Sequence, residues 1–331
     1  MDIKTLNYNY VIIGCDEYYL VGYHDIITLP CVSYHTNYYD GFDSFWERQL
    51  VRWNFSRKIN QYVHTPFSRL VYPKLYPHHF TDNKPICFLF FGNRQQIYQT
   101  DFLKYIRKNY KDSKIVLYMQ DLVARNSELH FDSVNKQFDL LLSYDKGDAA
   151  KYNMHYYPTP MSYYPISEKN TLSESDIYFC GKGKDRYILI HNIYEQCSQV
   201  GLICDFYITE MPASAPRISG IHYNQPLSYI ENLEHIVKTK CILEIMQGGA
   251  DGYTPRTWES IMYDKHLLTN NTTFEHSLYY FSYGHHNIQT LKDSSILHWI
   301  NTAVTYPYEL KKKISPINLL YFIDKKLQSA S

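Results

Sequence analysis

Several protein classes leave marks that this sequence lacks. No apolar run reaches the roughly 18 residues of a membrane-crossing helix, so none is expected. No Cys-x-x-Cys pair occurs, and the seven cysteines (Cys15, Cys31, Cys87, Cys180, Cys197, Cys204, Cys241) are odd in number and scattered. Cys87 lies within Ile86-Cys87-Phe88-Leu89-Phe90 and Cys180 ends Ile177-Tyr178-Phe179-Cys180. Such thiols read as small buried hydrophobes of a reducing compartment. Net charge is absent too, since 33 Lys and Arg balance 33 Asp and Glu. A nucleic-acid binder ordinarily carries a basic surface, so no nucleic-acid partner is expected. The opening Met1-Asp2-Ile3-Lys4 has no basic stretch leading into an apolar one, so no secretory signal is read there. His78-His79 and His285-His286 are adjacent pairs without the i, i+4 spacing of helical metal ligands, and they read as structural or surface residues. A cytoplasmic protein is expected.

What the sequence does contain is globular. Its 331 residues suggest about two domains, each able to bury a core without disulfides or metals. With 45% apolar and 17% aromatic residues, it is not a disordered chain. The 35 tyrosines suit sugar stacking, but they read more readily as the residue usage of an AT-rich genome.

Strand-like and helix-like stretches alternate. Tyr10-Val11-Ile12-Ile13, Ile86 to Phe91, Ile115 to Tyr118 and Leu140 to Leu142 are short apolar runs of the kind found in buried parallel strands. Between them, Asp101 to Tyr110 places Phe102, Tyr105 and Ile106 on one helical face. The stretch 156–175, with Pro158, Pro160 and Pro165, reads as a linker. The alternation then resumes: strand Asp176 to Cys180, helix Arg186 to Gln199, strand Cys204 to Ile208, helix Leu227 to Lys238, strand Cys241 to Ile245, helix Thr257 to Tyr263 and strand Leu267 to Thr269. The expected fold class is α/β, with two Rossmann-like domains facing a cleft. The domains would run over 1–165 and 166–304, with 305–331 a helical segment packing across both. Residues 42–79 are aromatic-rich and read as helix mixed with loops.

The segment from Glu244 to Asn271 carries the most chemistry. A strand ends in Gly248-Gly249-Ala250-Asp251-Gly252-Tyr253-Thr254, and Pro255 suits the first turn of a helix. Free N–H groups at a helix start beside flexible glycines can hold an anion. Arg256 adds a cation shaped for phosphate, and Glu259, one turn on, is placed to accept two vicinal hydroxyls. A nucleoside diphosphate fits this arrangement; so would an ordinary strand-to-helix loop with a surface Arg256–Glu259 pair.

The run from Asp251 to Asn271 resembles the donor-nucleotide motif of GT-B glycosyltransferases, especially the small bacterial enzymes of polysaccharide and lipopolysaccharide (including capsule) biosynthesis. Asp251 and Glu259 hold its two acidic places, and Leu267-Leu268-Thr269-Asn270 is the following strand and turn. Asp251 stands where glutamate is commoner. Ile177 to Arg186 likewise resembles the strand and loop that open a GT-B donor domain, with Gly181 and Lys182 in place and Lys184 or Arg186 as the second cation. The resemblance covers roughly residues 139–290 and fades before 85. It implies a nucleotide-sugar donor on the C-terminal domain and a glycan or lipid-linked acceptor on the N-terminal one. The donor would be held by Gly181, Lys182, Lys184, Gly248, Asp251, Gly252, Tyr253, Thr254, Arg256 and Glu259.

No Asp-x-Asp occurs, the motif by which GT-A enzymes hold a metal, so no metal or cofactor is expected and cations would meet the leaving-group charge. An inverting enzyme needs a base, and Asp121 and Asp16, each following a strand, are candidates for it or for helix caps. Asp145 and Asp148 read as a turn and a cap. Whether transfer inverts or retains is left open. The basic and apolar stretch Glu309 to Lys326 reads either as a packed terminal helix or as loose attachment to the inner face of a membrane. Two other functions remain open, a nucleotide-sugar epimerase and a non-catalytic sugar- or partner-binding module.

Overall fold

A computed structural model describes residues 6–14, 17–56, 58, 67–92, 101–125, 135–167, 169–246, 252–272, 274–292 and 295–329. The chain divides into two units. One comprises Met1–Pro160 with Pro316–Ser331, and the other is Met161–Ser315.

In the first unit, β1 (Asn9–Ile13), β2 (Val32–His35), β3 (Ile86–Phe91), β4 (Lys114–Met119), β5 (Leu140–Ser143) and β6 (His155–Tyr156) form a sheet in the order β2-β1-β3-β4-β5-β6. Every pairing is parallel. The unbroken apolar strands follow from cover on both faces. Phe88 and Phe90 enter one core with Val11, Ile13, Ile115 and Leu117. Their neighbours Cys87, Leu89 and Phe91 enter the opposite core with Tyr10, Ile12, Val116 and Tyr118. Each such side chain, fully buried, contributes about 1.5–3 kcal/mol.

The aromatic-rich stretch after residue 42 covers the first of these faces. Helix Phe45–Asn54 starts at a capping box, in which Ser44 accepts from Glu47 N and Glu47 accepts from Ser44 N. Val51, Phe55, Tyr72 and Leu75 pack into the Phe88 core. The other face is closed by the end of the chain: helix Pro316–Ser329 inserts Leu319, Leu320, Ile323 and Leu327. Its buried Asp324 accepts from Asn7 N at 3.0 Å and Asn7 Nδ2 at 2.7 Å.

In the second unit, β7 (Ser175–Lys182), β8 (Cys204–Thr209), β9 (His222–Tyr223), β10 (Thr239–Glu244), β11 (His266–Thr269) and β12 (His285–Asn287) form a parallel sheet in the order β12-β11-β10-β7-β8-β9. Counted from β7, this is the 3-2-1-4-5-6 order of nucleotide-binding sheets, and it reverses between β7 and β10. Helices Tyr187–Gln199, Tyr229–Lys238 and Pro255–Met262 lie near the expected positions.

The division between units falls after Pro160 rather than at 165, because Met161 is buried and its N–H donates to Ile314 O at 2.9 Å. The segment 305–331 is likewise shared out. Helix Tyr308–Ile314 belongs to the second unit, where Lys311 pairs with Asp264 at 2.5 Å, and helix Pro316–Ser329 belongs to the first.

Candidate functional site

Ligands of open α/β sheets bind beyond the carboxyl ends of the strands where the order reverses. In the second unit that point is the end of β7 beside the end of β10. Two guanidinium groups gather there. Arg186, in the turn leaving β7, donates through Nη1 to Ile245 O and through Nη2 to Lys182 O at 2.5 Å. Arg256, from the first turn of helix Pro255–Met262, donates through Nη2 to Cys180 O and lies over the Phe179 ring, 5.4 Å from its centre. Gly181 makes room for both. A Cβ there would stand 2.7 Å from Arg256 Nη2 and 3.7 Å from Arg186 Nη2. Burial, then the charge of Arg256, holds Arg186 below its ordinary basicity. Among the described residues neither guanidinium has a carboxylate within ion-pair distance, and Arg256 Nε and Nη1 make no hydrogen bond.

The helix that carries Arg256 is seated on a buried acid. Glu244, the last residue of β10, is 0% exposed. Its Oε1 accepts from the hydroxyls of Thr254 and, at 2.9 Å, Thr257, and its Oε2 accepts from Thr269 at 2.5 Å. Thr254 is the N-cap and its Oγ1 also accepts from Arg256 N at 3.2 Å, while Pro255 opens the helix. The positive end of this helix therefore already faces an anion belonging to the protein. Asn271 Nδ2 donates to Gly252 O at 2.7 Å and ties down the loop before the cap. At φ +118° Gly252 needs its missing side chain.

Glu259 is 3% exposed and faces helix Tyr229–Lys238. Its Oε1 accepts from Tyr229 OH at 2.8 Å and Asn232 Nδ2 at 3.3 Å. Its Oε2 makes no hydrogen bond among the described residues. Burial raises its carboxyl above the ordinary range, against the opposing pull of Arg256. Tyr253 is packed against Trp258 and Tyr279, with ring centres 4.7 and 5.3 Å away.

Lys182 and Lys184 are exposed and share Glu210, at 2.6 and 3.3 Å. Arg186, the alternative second cation, is the one that turns inward. Asp121, exposed after β4 in the first unit, accepts from Leu122 N at 2.8 Å, the bond of a local turn. Asp16, Gly248 and Asp251 lie outside the described residues. Asp145 caps helix Lys146–Lys151 by accepting from Asp148 N, and Asp148 accepts from Val123 N at 2.7 Å. Among the described residues no group of three or more His, Cys, Asp or Glu side chains could hold a metal ion. His285 is buried, with Nδ1 accepting from Phe281 N, and His286 packs on Trp299 with ring centres 4.2 Å apart. No described helix is long and apolar enough to cross a membrane.

No protein-family model and no curated protein matches this chain. Solved structures do match. A trehalose-6-phosphate synthase, studied for enzymatic glycosyltransfer with retention, is 9% identical with a TM-score of 0.52, over 97% of this chain and 99% of its own. The fold is GT-B-like. A UDP-forming α,α-trehalose-phosphate synthase from Burkholderia vietnamiensis is 10% identical with a TM-score of 0.49, over 98% and 96% of the two chains. At such identities the likeness is one of fold.

Sequence reasoning missed the buried support of the Arg256 helix. Glu244 interrupts the apolar run Cys241-Ile242-Leu243-Glu244-Ile245, a signal that a carboxylate has partners inside. Nothing in the spacing singles out Thr254, Thr257 and Thr269 as those partners, or Tyr229 and Asn232 as the partners of Glu259.

Proposed function

We propose that the chain is a glycosyltransferase whose second unit holds a nucleotide-sugar donor. The observation that carries this is the Arg186–Arg256 pair at the sheet's reversal point, gathered around Gly181 and, among the described residues, without a carboxylate in ion-pair contact. Two like charges held together in partly buried surroundings are unfavourable alone and are relieved by a bound dianion. In this reading Arg256 meets the diphosphate through its unbonded nitrogens, and Arg186, fixed on strand-end carbonyls, supplies positive field behind it. Lys182 and Lys184 add charge at the rim. Glu259 offers Oε2 to the ribose hydroxyls, while the loop with Asp251, Gly252 and Tyr253 approaches the sugar.

As the donor bond breaks, negative charge grows on the departing diphosphate, and the arginines stabilise it without a metal. In an inverting reaction Asp121 or Asp16 takes the proton of the attacking hydroxyl. The acceptor is a glycan or lipid-linked acceptor of cell-surface polysaccharide biosynthesis, taken by the first unit in the cytoplasm. That part rests on the resemblance of residues 251–271.

The test is thermal unfolding with UDP, GDP, CMP, dTDP and their sugars, with and without EDTA. One diphosphate should raise the midpoint regardless of EDTA, and Arg256→Ala should abolish the rise. If no nucleotide stabilises folded wild-type protein, the donor site is refuted and a binding module is favoured. Conversion of a nucleotide sugar with no acceptor present would instead identify an epimerase.

A further inference from the structure

Large aromatic side chains stand in solvent on one helix of the first unit. Phe45 is 66% exposed and Trp46 72%, and Trp53 is also exposed. At 100° per residue, Phe45, Trp46, Gln49 and Trp53 share one side of helix Phe45–Asn54, opposite the buried Val51 and Asn54. Among the described residues, Phe45 and Trp46 join neither core of the first unit described above. Trp53 meets Phe67 with ring centres 6.2 Å apart, and Phe67 leads into helix Ser68–Val71, whose Leu70 is exposed as well.

Cations border the aromatics. Arg48 and Arg52 flank them on the same helix, and Arg69 adjoins Leu70. Arg52, Lys58 and Arg69 have no ion-pair partner among the described residues, and the helix's own acid, Glu47, is paired with Lys74. The described residues from 43 to 74 hold five cations (Arg48, Arg52, Lys58, Arg69, Lys74) against two carboxylates (Asp43, Glu47), in a chain whose net charge is zero.

We propose that this face seats the first unit on an anionic lipid bilayer. Tryptophan and phenylalanine enter the headgroup boundary with their apolar rings, while arginines extend to lipid phosphates. Exposed aromatics on one helix, with Arg48 and Arg52 beside them, complement a surface that is apolar beneath and negative above. The inference stands on exposure and charge in the first unit, and it survives or fails independently of the proposed donor site.

The experiment uses the full chain with vesicles of one part phosphatidylglycerol to two of phosphatidylcholine, and with vesicles of phosphatidylcholine alone, read by co-sedimentation and tryptophan emission. Binding to the anionic vesicles with a blue shift, weakened by high salt, is the expected result. Phe45→Ser with Trp46→Ser should lower partitioning at least tenfold with an unchanged thermal midpoint, both side chains being largely exposed. Arg52→Gln should lower it about fivefold, the share of one cation near such a surface. Absence of binding by folded protein would overturn the proposal. So would equal binding to neutral vesicles, or unchanged binding by the Phe45/Trp46 variant. A wild-type dimer that this variant dissociates, with no vesicle binding, would assign the face to a second copy of the chain.

Discussion

Thr257 donates its hydroxyl to Glu244 at 2.9 Å, and both side chains are sealed from water. The bond joins the first turn of the Arg256 helix to the end of β10, so the position of Arg256 depends on a fully buried carboxylate. Thr257→Val keeps the shape and removes one charge-assisted bond, which should cost about 1.5–3 kcal/mol. Glu244→Ala leaves three hydroxyls without their acceptor, each lost partner costing about 1–3 kcal/mol, and should cost more than Thr257→Val. Denaturant midpoints check both. A Glu244→Ala protein as stable as wild type would show that the carboxylate is not the anchor.

Arg256→Ala and Glu259→Gln separate the two halves of the proposed donor contact. Each should weaken binding of the stabilising nucleoside diphosphate on the order of 10- to 100-fold, the value of a charge-assisted contact. The Glu259 variant should bind the free inorganic diphosphate as wild type does, because its role is at the ribose. Calorimetric titration distinguishes the two, and unchanged affinity in both folded variants would remove the site.

Gly181→Ala tests the close approach at the end of β7. The added methyl would stand 2.7 Å from Arg256 Nη2, the mobile end of a side chain, so the guanidinium can shift while the backbone holds. Stability should change by about 1 kcal/mol or less, whereas nucleotide affinity should fall as far as in Arg256→Ala. Full affinity in this variant would mean that Arg256 does not act from where it sits.

Buried histidine makes the second unit acid-sensitive. Burial, then the charges of His266 and His286, pushes His285 from 6.5 down to about 3. Below pH 6.5 the unfolded chain takes up the proton that the folded one refuses, so stability present above that pH is lost as pH falls towards 3. At pH 5 the loss is about 2 kcal/mol. Glu259, raised by burial, has the opposite slope, losing stability as pH rises above its ordinary value. His285→Phe isolates the effect. It gives up the bond from Phe281 N at every pH but should flatten the wild-type fall between pH 6.5 and 5 in urea melts. An equal fall in both proteins would assign the acid sensitivity elsewhere.

Much of the fold could be read from the chain because buried parallel strands announce themselves. β1, β3, β4, β5 and β10 are apolar runs with cover on both faces, and β7 and β8 carry apolar stretches around Phe179 and Phe206. β2, β9 and β12 could not be read: Val32-Ser33-Tyr34-His35, His222-Tyr223 and His285-His286-Asn287 are short outer strands with polar residues, and only their neighbours' backbones make them strands. At the candidate site, the place of Arg256 and Glu259 at the start of a helix was readable because a glycine loop, Thr254 and Pro255 mark where that helix begins.

The sequence by itself determined two successive α/β units, their strand order along the chain and the loop that starts the Arg256 helix, since hydrophobic period and helix capping are local properties. Tertiary structure decided which charges turn inward. Lys182, Lys184 and Arg186 lie within five residues of one another, but only Arg186 reaches the carbonyl of Ile245, 59 residues away, while the two lysines turn to Glu210. Glu244 is a buried anchor rather than a surface acid because Thr254, Thr257 and Thr269 converge on it from a cap, a helix and a neighbouring strand. Pairings of this kind join residues distant along the chain, and a local pattern holds no record of which partner the folded sheet will bring.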